Sequence, residues 1–288
     1  MTSENTGGDW LEANRALWDE RVPLHLTSDF YDQSKLRAGQ GELYAIEEAE
    51  LAEVFPDGWE GKRVLHLQCH FGADSLVLAQ RGATVVGVDF SKPAVLAARA
   101  LATEVELADR ARFVNANVYD LRHVLPEPES FDVVYTTWGT IGWLPDVEEW
   151  ARIIAWFLKP GGRLYFADGH PTAFMLDDVA NDGATRIVYP YDTDGVADVV
   201  TDTGDYADET ATLAANTAWE WMHPLGQTLT ALIEAGLALE FVHEHYEVPW
   251  RIFPSATPTR PGLFGLPDKK WVPLAVSLSA VRVEPVEA

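Results

Sequence analysis

From Arg63 onward, short apolar runs alternate with longer stretches whose apolar positions recur at helical spacing. Arg63–Cys69 (RVLHLQC), Thr84–Asp89 (TVVGVD), Arg112–Ala116, Phe131–Thr137 (FDVVYTT) and Arg163–Asp168 (RLYFAD) read as strands. Between them lie helices. One is capped by Asp74 and Ser75, runs to Gln80 and is stopped by Gly82; another opens at Ser91 with Pro93 in its first turn and reaches about Ala108. A third spans Asp146–Leu158 and ends in the turn Lys159-Pro160-Gly161-Gly162. Strands apolar on both faces, joined by helices of this length, predict βαβ units and a parallel sheet covered on both sides.

Upstream, Trp10–Glu20 and Leu43–Val54 read as helices separated by the loop HLTSDFYDQSK, which holds His25, Phe30 and Tyr31. The alternation breaks after His170. Residues 171–218 are rich in Asp, Thr, Ala and Tyr, with a hairpin expected around YDTDG (191–195); Pro224–Gly236 is then a helix, and Leu237–Tyr246 and Val272–Val283 are strands. The expected division is an N-terminal helical cap (1–58), an α/β core (59–170 and 223–288) and an insertion (171–222) folding as a lid over the acceptor site.

Composition narrows the class. The 288 residues carry 21 Lys+Arg against 45 Asp+Glu, a net charge of −24 that would repel a phosphate backbone, so nucleic acid is not an expected partner. A 47% hydrophobic content supplies a core. The longest apolar helical run, Ile153–Leu158, is far short of the roughly 20 residues a bilayer needs, so no membrane partner is expected either. A lone cysteine, Cys69, and an N-terminus without a basic, apolar leader suggest a cytoplasmic protein. A monomer or homodimer is expected.

In an open parallel sheet, ligands sit beyond the carboxyl ends of the strands. Three such ends bear chemistry here. The first is the loop His66-Leu67-Gln68-Cys69-His70-Phe71-Gly72, which leads into a helix N-terminus suited to a carboxylate or phosphate. Asp89 follows Gly72 by 17 residues at the tip of the second strand, where a carboxylate can accept both hydroxyls of a ribose. The third is Asn117-Val118-Tyr119, where an amide and backbone groups could read an adenine edge.

The segments VLHLQCHFG (64–72), VVGVDFS (85–91), FVNANVYDL (113–121), FDVVYTT (131–137) and LKPGGRLYFAD (158–168) resemble, in order, the class I S-adenosylmethionine-dependent methyltransferases, over about residues 60–285. The HLQCHFG loop is similar to that of a bacterial small-molecule subgroup. The resemblance implies a Rossmann-like seven-stranded, mostly parallel sheet with an antiparallel last strand, plus the N-terminal helical extension and the insertion after strand five. It also implies S-adenosylmethionine as cofactor and a small-molecule methyl acceptor whose reacting atom (N, O, S or C) stays open. Most family loops carry an acidic residue where His66 stands and glycines where Gln68 and His70 stand, and a frequent Asp where Asn117 stands; Gly72 alone of the usual glycines remains.

The residues implied to hold the cofactor are Trp18, Arg21, His66, Gln68, Cys69, His70, Gly72, Asp89, Phe90, Asn117, Val118, Tyr119, Thr137 and Trp138. Gln68 or His70 would donate to the methionine carboxylate, and Trp18, Arg21 and Tyr31 would close from above. Cys69 reads by itself as a small buried hydrophobe, with no metal or redox role. Trp138 and Trp143 could wall the sulfonium by cation–π attraction. If a proton must be taken, His170, directly after strand five, is the first candidate base, with His25 and His223 behind it. No metal is expected, since His243 and His245 lack a Cys or Asp partner at ligand spacing. Two other functions compete: a non-catalytic module binding the cofactor or a nucleotide, and an NAD-dependent oxidoreductase, which would need a G-x-G-x-x-G loop absent from 66–72.

Overall fold

The computed structural model describes residues 8–177, 186–202, 204–208, 210–266 and 270–283. Seven strands form the central sheet: β1 (Arg63–Leu67), β2 (Thr84–Asp89), β3 (Ala111–Asn115), β4 (Phe131–Thr137), β5 (Leu158–Gly169), β6 (Leu237–His245) and β7 (Ala275–Arg282). Their order across the sheet is β6-β7-β5-β4-β1-β2-β3. β1 to β5 run parallel, while β7 is antiparallel to both neighbours. This is the architecture implied by the resemblance, with the antiparallel strand last in the chain.

Alternate residues of each inner strand enter opposite cores. Leu65, Val86, Val134 and Phe166 meet Trp150, Ile153, Ile154 and Phe157 of α5 (Val147–Phe157) on one face. Val64, Val85, Val133 and Tyr165 meet α3 (Ala73–Gln80) and α4 (Lys92–Glu104) on the other. With helices on both sides no strand face can stay polar, which explains the uninterrupted apolar runs in the sequence. Ser91 caps α4 by accepting from the Ala94 N–H, and Asp146 caps α5 through the Glu149 N–H.

Two local expectations are corrected. Neither Asp74 nor Ser75 caps α3: its N-cap is Gly72, without a side-chain cap, while the Ser75 hydroxyl is 2.8 Å from His66 Nδ1. No hairpin forms at 191–195. That segment is a turn between strands of different small sheets, Arg186–Ile187 paired with Leu176–Asp177, and Asp198–Thr201 paired with Thr217–Glu220. Positive φ at Asp194 and Gly195 explains the turn signal.

The N-terminal helices α1 (Asp9–His25) and α2 (Ala45–Val54) pack by polar clamps rather than by broad apolar faces. The Asn14 amide exchanges two 2.8 Å hydrogen bonds with the Trp219 backbone, and Glu20 accepts from the N–H groups of Ala214 and Ala215. On α2 two buried glutamates face the sheet. Glu47 accepts from Tyr135 and from the Trp138 indole at 2.8 Å; burial holds this carboxyl well above the usual range. Glu50 accepts from Tyr165, Ser277 and His243 at 2.7–2.8 Å. Burial opposes its charge, but the donors, with His245, outweigh it and bring the carboxyl down to about 2.

Glu50 therefore ties α2 to β5, β6 and β7. Glu50→Ala is expected to lower the unfolding free energy by about 3 kcal/mol, because it takes the acceptor from the buried Tyr165 and Ser277 hydroxyls. The depressed carboxyl stabilises fully above its unfolded pKa, and this contribution is lost as pH falls toward about 2. Urea unfolding at a series of pH values should show that acid loss in the parent chain and a flatter acid limb in the variant.

Candidate active site

At the end of β1 the backbone turns into the left-handed region at Gln68 (φ 54°), His70 (φ 51°) and Gly72 (φ 76°). For a residue with a Cβ this costs about 1–2 kcal/mol. Gly72 has no alternative, since a Cβ there would lie 2.4 Å from the Phe113 ring. The other two stand where the family resemblance places glycines, and each is held by partners. Gln68 Nε2 donates to the Thr140 carbonyl at 2.7 Å. The His70 N–H donates to Asp89 Oδ2 at 2.8 Å, and His70 Nε2 lies 2.8 Å from His25 Nδ1.

Asp89 closes this loop from the tip of β2. Its second oxygen accepts from the Ser91 N–H at 2.8 Å, so one carboxylate fixes the turns after both β1 and β2. Burial raises its pKa to about 6 against the pull of these hydrogen bonds. Asp168, on β5, does the same for the segment after β4, where Trp138 and Gly139 are also left-handed. It accepts from the backbone N–H groups of Gly139 at 2.6 Å, Thr140 at 2.8 Å, Ile141 at 3.3 Å and Gly169 at 2.7 Å.

Between these loops lies a cavity of about 440 Å³, the size of a small-molecule or cofactor site. Trp18, His66, Gln68, Cys69, His70, Gly72, Asp89, Phe90, Asn117, Val118, Thr137 and Trp138 all line it, as do Tyr31 and Trp143. Arg21 and Tyr119 do not. The Arg21 guanidinium sits 5.1 Å from the Trp18 ring centroid, with Nε 3.4 Å from Asp205. The Tyr119 hydroxyl turns away to the Asp146 backbone. Asn117 Oδ1 accepts from the Tyr119 N–H. Cys69 is buried and its thiol is pushed far up, which keeps it protonated, and burial brings His66 down to about 3.

The three candidate bases all lie outside the lining. The His170 backbone N–H donates to the Leu274 carbonyl, while its ring caps Thr172 and faces Glu244 of β6 at 3.3 Å. His223 is buried against the Leu144 carbonyl at 2.7 Å. His25 is buried too, but it touches His70, which lines the cavity.

Several lining residues were not singled out by the sequence: Trp10, Tyr44, Asp74 and the run Trp250-Arg251-Ile252 from the connection between β6 and β7. Asp74 carried a signal, an acid just after Gly72, but it reads more simply as a helix cap. Tyr44 and Trp250 both meet Trp138 edge-on, at 6.1 and 5.8 Å between centroids, and build an aromatic lobe beside the β4 turn. Trp10 Nε1, Gln68 Oε1 and Thr137 Oγ1, all on lining residues, are buried and find no hydrogen-bond partner among the described residues. Such atoms complement a ligand that brings both donors and acceptors. Among the described residues no group of three His, Cys, Asp or Glu is placed to hold a metal, and no helix is long and apolar enough to cross a membrane.

Residues 65–166 match the family model described as a methyltransferase domain. The ubiquinone biosynthesis O-methyltransferase of Aeromonas salmonicida is 31% identical over 121 residues, 41% of this chain and 49% of that protein. The chain thus spans about half the length of the curated relatives it matches. An S-adenosylmethionine-dependent methyltransferase structure from Mesorhizobium loti superposes with a TM-score of 0.57 at 24% identity, covering 83% of this chain and 98% of that one. The geranyl diphosphate C-methyltransferase of Streptomyces coelicolor, solved with S-adenosylhomocysteine, gives 0.55 at 16% identity over 96% and 99%. The fold is that of the class I S-adenosylmethionine-dependent methyltransferases.

Two glycine substitutions separate sterics from backbone strain in these loops. Gly72→Ala meets the Phe113 ring at 2.4 Å as well as a φ of +76°, and is expected to cost about 3 kcal/mol or more. Gly139→Ala has a φ of +74° with nothing within 4 Å, and should cost about 1 kcal/mol. Chemical unfolding of both variants measures the difference.

Proposed function

We propose that this protein is an S-adenosylmethionine-dependent methyltransferase acting on a small molecule, with cofactor and acceptor sharing the 440 Å³ cavity. The observation that carries this reading is the convergence of the 66–72 loop, Asp89 and the 117–118 segment on one cavity at the carboxyl ends of β1, β2 and β3, inside the stretch matching a methyltransferase domain. The sequence resemblance and the related O-methyltransferases support it further.

Each chain element then has a task. Asp89 retains free lone pairs beyond its backbone contacts and accepts the ribose hydroxyls. The buried Gln68 carbonyl, with Nε2 already committed to Thr140, accepts from the amino end of the methionine moiety. Asn117 and Val118 border the adenine. The cofactor supplies an electrophilic methyl on a sulfonium, so the protein must align the acceptor and exclude water. Trp138, with Tyr44 and Trp250, forms the apolar wall for that acceptor. The N-terminal residues and the 171–222 segment cover the site: Trp10 and Trp18 of α1, Tyr31 and Tyr44 from the connection to α2, and Tyr206 from the latter segment reach the cavity.

Isothermal calorimetry with S-adenosylmethionine, S-adenosylhomocysteine and NAD tests the reading. Micromolar binding of both adenosyl ligands and none of NAD is expected, and Asp89→Ala should weaken it about 10- to 100-fold, the worth of hydrogen bonds to a charged group. Since Asp89 protonates near pH 6, affinity should fall as pH drops from 7 to 5. Absence of adenosyl binding, or preference for NAD, would refute it.

A further inference from the structure

Outside the cavity lining, one chain of buried polar groups leads into it. His70, on the loop after β1, sits with Nε2 2.8 Å from Nδ1 of His25, the last residue of α1. His25 Nε2 lies 3.1 Å from Oδ2 of Asp205, which comes from the 171–222 segment. Three parts of the chain distant in sequence thus meet in one line. His25 is fully buried and Asp205 nearly so, with 0% and 4% exposure.

The direction of the hydrogen bonds follows from Asp205. Its Oδ1 accepts from the Ala207 and Asp208 N–H groups at 2.8 and 3.3 Å, and the Arg21 guanidinium Nε stands 3.4 Å from Oδ2. A carboxylate surrounded by donors can only accept, so the His25 proton is on Nε2. His25 Nδ1 is then an acceptor, and the bond to it must be donated by His70 Nε2–H. A neutral His70 protonated on Nε2 carries a lone pair on Nδ1. The ring lines the cavity, and no hydrogen bond within the described residues occupies that nitrogen.

We propose that Asp205, His25 and His70 form a proton relay in which His70 Nδ1 is the general base for a hydroxyl acceptor. This rests on the methyltransferase reading above and narrows the acceptor atom to oxygen. The acceptor O–H gives its proton to His70 Nδ1, and the freed oxygen pair bonds to the methyl carbon. The carbon–sulfur bond breaks with its electron pair left on sulfur. The positive charge arriving on His70 is shared through Nε2–H to His25 and so to Asp205. His70 is the catalytic residue; His25 and Asp205 are positioning residues that fix its tautomer.

The surroundings suit a relay that is neutral at rest. Burial lowers both imidazoles below their ordinary pKa; for His70 the His25 ring and the Arg21 charge add to this, and for His25 Asp205 pulls back while Arg21 adds to the lowering. The groups facing the pair are Trp18 and Arg21 from α1, Tyr31 from the turn that follows, Phe71 beside His70, and Tyr206 from the 171–222 segment. Tyr31 stacks on His25 at 4.8 Å, and its hydroxyl pairs with that of Tyr206. A hydroxyl needs a base, whereas a free amine or thiolate does not. A relay built across three separate segments is therefore matched to oxygen.

The test reads tautomers directly. Long-range proton–nitrogen NMR of the full chain labelled with ¹⁵N-histidine, assigned with His70→Gln and His25→Gln, is expected to show both rings neutral at pH 7 with the proton on Nε2. His70 Nδ1 should remain unprotonated when S-adenosylhomocysteine binds, with its shift unmoved by the ligand, and Asp205→Asn should mix the His25 tautomers. Finding His70 protonated on Nδ1, or its Nδ1 signal displaced by S-adenosylhomocysteine as a cofactor contact, overturns the proposal. Failure of S-adenosylhomocysteine to bind would instead sink the underlying methyltransferase reading and leave the tautomer result intact. With a panel of phenols, alcohols and thiols as acceptors at saturating cofactor, His70→Gln should lose about 10²- to 10⁴-fold in transfer to hydroxyls, with thiols far less affected. Equal losses for both acceptor classes would contradict the assignment.

Discussion

A single buried carboxylate, Asp89, holds the two loops on which the site depends. One oxygen takes the His70 N–H and the other the Ser91 N–H, each at 2.8 Å. The first contact secures a turn that no run of ordinary residues adopts willingly, because Gln68 and His70 stand in left-handed conformations that glycine would occupy at no cost. Asp168 repeats the device at the β4 end, gathering four backbone N–H groups around one side chain. Pre-formed loops of this kind present fixed donors and acceptors to a ligand, so little reorganisation accompanies binding.

Placing side chains where glycines usually lie has consequences on both sides of the loop. The Gln68 amide reaches Thr140 and links the β1 loop to the β4 loop. The His70 ring reaches His25 and links the same loop to α1, which is itself docked on the segment after β5 by Asn14 and Glu20. The strain stored in the loop is therefore matched by contacts that join cap, core and 171–222 segment around one cavity. A glycine-rich loop would form with less strain but could not carry these connections.

The sheet was legible because a parallel sheet covered on both faces must be apolar throughout, and β2 and β4 begin and end where the pattern changes. The cavity at the strand ends was legible too, since positions such as Asp89 and Gly72, which line it, follow from topology. What escaped was whatever depends on contacts distant in sequence. Asp74 looks like a helix cap until Gly72 is seen to occupy that position. Trp250 and Arg251 sit in a connection with no motif. His170 follows a strand end, but its ring is engaged by Thr172 and Glu244 and lies outside the cavity lining. His25 and Asp205 are 180 residues apart, and only the fold brings them together. The turn at 191–195 was marked correctly by its residues but joins different sheets, a matter of pairing that local sequence does not encode.

We propose the left-handed 68–72 loop, clamped by Asp89, as the cofactor cradle. A crystal structure of the complex with S-adenosylhomocysteine tests this most directly. The ribose hydroxyls should lie within hydrogen-bond distance of Asp89, the amino end beside Gln68 and the sulfur toward Trp138, with Gln68 and His70 still at positive φ. Ligand bound elsewhere, or a loop that abandons the left-handed conformation and releases Asp89 to admit it, would contradict the account.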